Sequence, residues 1–263
     1  MIDKGSNGHG VYETARELIV DILHVNDHGR HRVTETAILP HFRSLSASQI
    51  ENKAADDVVT VADREAEELL AAGLSKLNPG IGIVGEENAH ANPAVLDLLS
   101  GPCWIIDPID GTNNYAGGTG PFGILIALAD GGLAQSGWIY DCQSGRFCAA
   151  HRGDGAYVDG ERITAQTSGE TPPVAAISTV FMDQERRAAA MEHIAPHYRL
   201  VDIPRCAAEQ YPRLALGEND VSIFERTLAW DHAAGALIIS EAGGHVAWLD
   251  DGTNYSAART KGT

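Results

Sequence analysis

The stretch CWIIDPIDGTNNYAGG (residues 103–118) runs from an apolar segment into Asp107, Pro108, Ile109 and Asp110, and then into a glycine and a threonine. An apolar run bounded in this way reads as a buried strand with Asp107 at its C-terminal end. Pro108 has no N–H to donate and is expected to stop the ladder. After the turn Asp110 comes back beside Asp107, the Ile109 carbonyl is left without a ladder partner, and Gly111 lets a ligand approach the backbone closely. Two carboxylates and a free carbonyl make an all-oxygen pocket. Carboxylates held this close repel, so either one takes up a proton or a cation neutralises both. Hard oxygen donors favour magnesium, manganese or calcium over zinc. An ordinary Asp-Pro turn with both acids in solvent is the plain alternative.

Working outward, GIGIVGEE (80–87) also ends an apolar run in acid and places Glu86 at the mouth of a neighbouring strand. DDVVTVAD (56–63) is rich in β-branched residues and predicts a short strand, followed by a helix from about Asp63 with Ala66, Leu69, Leu70, Leu74 and Leu77 on one face. Upstream, the spacing predicts a flexible tail over 1–10, a helix over 11–26 and a second over 32–47, disturbed at Pro40. His24, His28 and His31 read as a solvated helix end rather than a metal site. Downstream, residues 121–160 alternate β-rich runs with the turn pairs DGG, QSG and GDG, the pattern of an antiparallel meander.

The rhythm changes after TAQTSGETPP (164–173). Strands are predicted at 174–181, 199–204, 220–225 and 245–249, alternating with helices at 183–195, 206–217 and 231–242. That alternation implies parallel pairing with helical crossovers. The fold class is therefore α/β: an α+β half over 11–168 and an α/β half over 169–263 in one compact unit, with helices flanking two sheets in layers. Asp231 stands at the start of the last of these helices, where an aspartate commonly serves as an N-cap.

Nineteen basic against 36 acidic residues give a net charge of −17 over 263 residues, which opposes nucleic-acid polymers and anionic membranes as partners. An incoming phosphate is repelled too unless cations intervene. The four cysteines form no C-x-x-C pair and no long apolar span is present, so a cytoplasmic protein is expected.

GEEN (85–88), WIIDPIDGTNNY (104–115) and WDHAAGALIISEAGG (230–244), in this order and at these separations, resemble the signature segments of the inositol monophosphatase family, over about residues 11–255. The resemblance implies a layered αβαβα sandwich and magnesium-dependent, lithium-sensitive hydrolysis of small phosphate monoesters. It implies that Glu86, Asp107, the Ile109 carbonyl, Asp110 and Asp231 hold two or three Mg2+ ions, with Mn2+ as a substitute and Ca2+ or Li+ inhibitory. Thr112 and Glu86 would position the attacking water, and Asp63 would support Thr112. A homodimer is also implied. Gly111 and Thr112, opening a short helix, would offer backbone N–H groups to the phosphate. The family carries a lysine upstream of Asp63 that lies near the site; Lys53 is the candidate, but it is offset from that pattern by about a residue, so it is left outside the catalytic set, with a solvated surface lysine as the alternative.

Direct attack by water agrees with the lack of a G-x-S-x-G elbow or a D-x-D-x-T segment. The resemblance places substrate contacts at Asp110, Asp231 and Glu225, where Glu225 either grips a polyol or forms an ion pair with Arg226 or Arg205. PRCAAEQYPRLALG (204–217) departs from the family's small G-[ST]-A-A loop by carrying Cys206, Glu209 and Tyr211, and the chain stops roughly one strand-helix unit early by family expectation. The expected activity is hydrolysis of a small phosphorylated polyol such as inositol 1-phosphate. Histidinol phosphate, fructose 1,6-bisphosphate or a 3'(2'),5'-bisphosphate nucleotide are alternative substrates, and a non-catalytic phosphate-binding regulator is the alternative of another class.

Overall fold

A computed structural model of the chain describes residue 19, residues 33–54 and residues 57–259. The expected tail, the helix expected over 11–26 apart from the buried Ile19, and His24, His28 and His31 lie outside the described residues. The chain first makes a π-helical turn, Thr34–Ile38, and a 3-10 turn, Ala47–Gln49. The helix expected over 32–47 is thus cut short. Pro40 supplies no N–H to continue it, and the Ile38 carbonyl accepts from the Tyr115 hydroxyl at 2.6 Å as well as from the His41 and Phe42 N–H groups, both at 3.2 Å.

A hairpin of β1 (Ile50–Ala54) and β2 (Asp57–Thr60) follows; β1 was not foreseen. Helix α1 (Val61–Leu77) then begins two residues before Asp63. Next come β3 (Gly82–Gly85), α2 (Glu86–Ala91), a 3-10 segment Pro93–Ser100, β4 (Cys103–Asp110) and α3 (Thr112–Ala116). The meander is β5 (Gly123–Asp130), β6 (Leu133–Asp141), β7 (Phe147–His151), β8 (Gly155–Val158) and β9 (Glu161–Ile163). The second half contributes β10 (Val174–Ile177), α4 (Gln184–Ala189), β11 (Arg199–Val201), α5 (Ala207–Ala215), β12 (Val221–Ile223) and α6 (Ala229–Glu241). The strand expected at 245–249 is only a bridge between Ala247 and Asn254.

Strands β3 to β9 form a seven-stranded sheet in sequence order, with β3 and β4 parallel and the rest antiparallel. A parallel three-stranded sheet has the order β11-β10-β12. Pro108 does not end β4 as expected. The ladder pauses after Asp107 and resumes with Asp110 opposite Gly123, so the proline sits in a bulge.

The large sheet is buried on both faces, which is why its strands read as continuous apolar runs. Trp104, Ile106, Ile124, Ile126, Trp138 and Ala149 pack with Ala62, Ala66, Leu70 and Leu74 of α1. The alternate residues Ile105, Leu125, Ala127, Ile139, Cys148 and Ala150 pack with Ala233, Ala234, Leu237 and Ile238 of α6. On the far side, Ala175 and Ile177 of β10 pack with Met182, Ala190 and Ala195, covering the small sheet. The order α1, large sheet, α5 and α6, small sheet, α4 is the αβαβα sandwich.

Helix α6 lies unusually close to β6. A Cβ at Gly137 would sit 2.9 Å from the Ala234 Cα, so bare backbone touches the helix. This depth brings the first turn of α6 level with the end of β4. Gly137→Val is expected to force the helix outward and to lower the urea midpoint with the slope unchanged, a loss of about 1–3 kcal/mol.

Candidate active site

The site is assembled from helix starts and strand ends. Thr60 caps α1 and Asp63 closes a capping box: Asp63 Oδ2 accepts from the Thr60 N–H at 2.8 Å and from its hydroxyl at 2.6 Å. The other oxygen, Oδ1, is 3.2 Å from Thr112 Oγ1, which is also 2.8 Å from the Ile109 carbonyl oxygen. The hydroxyl has one proton and serves one of these acceptors at a time. Burial, with help from the Glu86 charge, pushes the Asp63 carboxyl up to about 7.

One turn further along α1, Glu67 accepts from the N–H groups of Glu87 and Asn88, both at 2.8 Å. It thereby satisfies the first turn of α2 and fixes where Glu86 leaves β3. The approach requires Gly85, where a Cβ would stand 2.5 Å from the Glu67 carboxyl carbon. Lys53, on β1, donates to Glu86 Oε1 at 3.0 Å and to Glu87 Oε1 at 2.5 Å, with its side chain only 5% exposed. Burial opposes the ammonium, yet Glu86 and Glu87 outweigh it and hold the Lys53 pKa above its ordinary value. Burial pushes Glu87 up to about 7 in spite of Lys53.

At the end of β4, Asp107 Oδ1 accepts from the Ile109 N–H at 3.0 Å, closing the bulge around Pro108. Asp110 Oδ2 accepts from the Ala208 N–H at 2.6 Å, in the first turn of α5. Gly111, the residue before α3, has φ +86 and its missing Cβ would lie 2.8 Å from the Pro121 carbonyl. The glycine is therefore demanded by left-handed backbone and by packing. Asp231 is not the cap of α6, since Leu228 holds that position; it lies in the first turn and shares a hydrogen bond with Asp107.

Glu86, Asp107, Asp110, Gly111, Thr112, Glu225 and Asp231 line one cleft open to solvent. Asp63 and Ile109 stand behind it, reaching it through Thr112. Burial raises Asp107 and Asp231 well above the usual carboxylate range, and the charges of Glu86 and Asp110 add to the effect. Burial takes Asp110 to about 6. Among the described residues no three His, Cys, Asp or Glu side chains stand ready as a metal-binding set. As they stand, Glu86 is engaged by Lys53, Asp107 by the Ile109 N–H and Asp231, and Asp110 by Ala208. The donors nonetheless fit a hard divalent cation: they are all oxygen, they face one cleft, and burial together with neighbouring charge opposes the ionisation of Asp107, Asp110 and Asp231.

The sequence model described as the inositol monophosphatase family matches residues 28–261. The chain belongs to the inositol monophosphatase family. An inositol-1-monophosphatase of Mycobacterium bovis is 32% identical over 197 residues, covering 72% of this chain and 68% of that protein. A histidinol-phosphatase of Chlorobaculum parvum is 33% identical over 201 residues, 74% of each chain. Among solved structures, the Thermotoga maritima IMPase superposes with a TM-score of 0.71 at 27% identity, covering 86% of this chain and 84% of that one. The protein is a phosphoric monoester hydrolase of a metal-dependent family. No helix among the described residues is long and apolar enough to cross a membrane.

Two sequence expectations need correction in this family setting. Lys53 is not a surface lysine; it is buried against Glu86 and Glu87, because β1 pairs with β2 and lays its side chain across the start of α2. Glu225 is held by Arg186 Nη1 at 3.0 Å, from the distant helix α4, a partner that the sequence did not offer. Glu67 was missed altogether, although its position four residues after Asp63 puts it on the same face of α1. Asp107→Asn removes one of the mutually opposed charges while keeping a hydrogen-bond acceptor. In EDTA the variant is expected to melt above the parent, and Mg2+ should raise its Tm less; scanning fluorimetry reads both.

Proposed function

We propose that the protein is a Mg2+-dependent phosphomonoesterase that hydrolyses a small phosphorylated polyol, of the inositol 1-phosphate kind, by direct attack of water. The observation that carries this reading is the meeting of Glu86, Asp107, Asp110 and Asp231, from three separate parts of the chain, on one cleft. In this reading Glu86, Asp107, the Ile109 carbonyl, Asp110 and Asp231 hold two or three Mg2+ ions. Bound there, the ions would offset the carboxylate charge, acidify water and steady the leaving oxygen.

The remaining steps belong to the chain itself. When the Thr112 proton goes to Asp63, the Thr112 oxygen is free to accept from the attacking water, and Glu86 orients that water from the other side. A carbonyl at Ile109 released from Thr112 is then available as a donor to a cation. The main chain at Gly111 and Thr112 borders the cleft and would face the phosphate.

Toward the leaving group, Arg186 holds Glu225 Oε1, while Glu225 Oε2 is buried without a protein partner. A buried carboxylate oxygen in that state calls for a donor, which a substrate hydroxyl provides. Arg226 lies 4.4 Å over the Phe181 ring on the same side, giving this half of the cleft an aromatic and cationic wall as well. Histidinol phosphate, fructose 1,6-bisphosphate and a 3'(2'),5'-bisphosphate nucleotide are the competing substrates.

Phosphate release from these four esters with Mg2+ tests the reading. Thr112→Ala is expected to lower kcat by about a hundredfold or more with KM little changed, as for a group that acts in the transition state. Glu225→Gln should mainly raise KM for the polyol ester. Failure of every ester to release phosphate with Mg2+ or Mn2+ would sink the proposal.

A further inference from the structure

We propose that His232 is a positioning residue: it clamps the segment 224–228 between α5 and α6 and so sets which leaving group the cleft accepts. The inference rests on the phosphomonoesterase reading and extends it to a residue that no metal or water contact requires. His232 follows Asp231 on α6, yet its ring points away from solvent and is 3% exposed. Its Nε2 is 3.0 Å from the Arg226 carbonyl oxygen and its Nδ1 is 2.9 Å from the Tyr211 hydroxyl.

A carbonyl oxygen can only accept, so Nε2 carries the proton. In the neutral ring Nδ1 then accepts, and Tyr211 donates to it. The result is a directed chain from the Tyr211 hydroxyl through the imidazole to the backbone of Arg226, with the tautomer fixed by its two partners.

The packing leaves this chain little freedom. Phe224 meets the His232 ring edge-on at 4.7 Å and stacks on Tyr211 at 5.5 Å. Tyr211 in turn presses on α6 at Gly235, where a Cβ would fall 2.0 Å from a Tyr211 ring carbon. Tyr211, on α5, is among the residues by which the 204–217 segment departs from the family's small loop, so the departure supplies the partner that orients His232.

Position gives the clamp its consequence. The segment 224–228 carries Glu225 and Arg226, both lining the cleft, and runs straight into α6 with Asp231 in its first turn. One backbone carbonyl therefore registers the leaving-group contacts against the acidic cluster. Releasing it loosens the backbone beneath Glu225 and Arg226, whose side chains keep their contacts with Arg186 and Phe181, while Asp231 stays seated in its helix.

The test compares His232→Leu, which removes the donor, with His232→Gln, which keeps an N–H near the Nε2 position. His232→Leu is expected to raise KM for the preferred ester about tenfold, the scale of one lost buried hydrogen bond. Its kcat should stay within about twofold and its inhibition by inorganic phosphate should be unchanged, while His232→Gln keeps KM near the parent's. The carbonyl 13C shift of Arg226, measured on the same proteins, should move in the Leu variant and stay near the parent's in the Gln variant. Unchanged KM in His232→Leu, a fall in kcat alone, parallel weakening of phosphate inhibition, or a Gln variant as impaired as the Leu one overturns the proposal. If the parent turns over no ester, the phosphatase reading fails by itself. The carbonyl shift still decides the clamp, because an equal Arg226 value in the parent and His232→Leu rejects it.

Discussion

Everything in this molecule is arranged around the mutual repulsion of carboxylates. Asp107 is buried, Glu86, Asp110 and Asp231 face the same cleft, and the charges of Glu86 and Asp110 oppose the ionisation of Asp107 and Asp231. Left to themselves such groups would scatter toward solvent or protonate. They stay because each is tied to an element whose own position is fixed by apolar packing elsewhere: Glu86 through α2, Asp107 and Asp110 through β4, Asp231 through α6. The stability of the two cores is what holds an unfavourable charge distribution in place, an arrangement common where function rather than stability selects the residues.

The scaffold economises on side chains. Asp63 closes the capping box of α1 and reaches Thr112 with its second oxygen; Glu67, one turn on, secures α2. A single helix N-terminus thus orders two parts of the site. Lys53 contributes a positive charge shared between Glu86 and Glu87. On the leaving-group side the same economy recurs, with Arg186 from α4 holding one oxygen of Glu225 and leaving the other to be satisfied from the cleft.

Much of this was legible in the residues. The double-faced burial of β4, β5 and β6 leaves continuous apolar runs, and the acids that end them stand out for that reason. The alternation of strand and helix after residue 173 translated directly into the parallel sheet. What escaped detection depended on tertiary geometry. IENK alternates without saying which side is covered, so Lys53 looked exposed until the β1 and β2 hairpin was laid over α2. Pro108 reads as a terminator, but its missing donor is accommodated in a bulge, and the ladder resumes at Asp110. HVAWL has strand composition yet finds only one bridge, at Ala247. Arg186 lies 39 residues from Glu225, and no local pattern connects them.

The contact of α6 with the bare backbone of β6 at Gly137 divides the molecule into two regimes. Where main chain abuts main chain, no rotamer can absorb a displacement, so any slip of the helix is transmitted undamped to Asp231. That half of the site is mechanically stiff and leaves natural variation almost no latitude. The opposite wall is built from connections, around Phe181, Arg205 and the stretch before α6, whose geometry rests on exchangeable side chains. Changes in that wall would alter what the cleft admits without moving the acid on the rigid side.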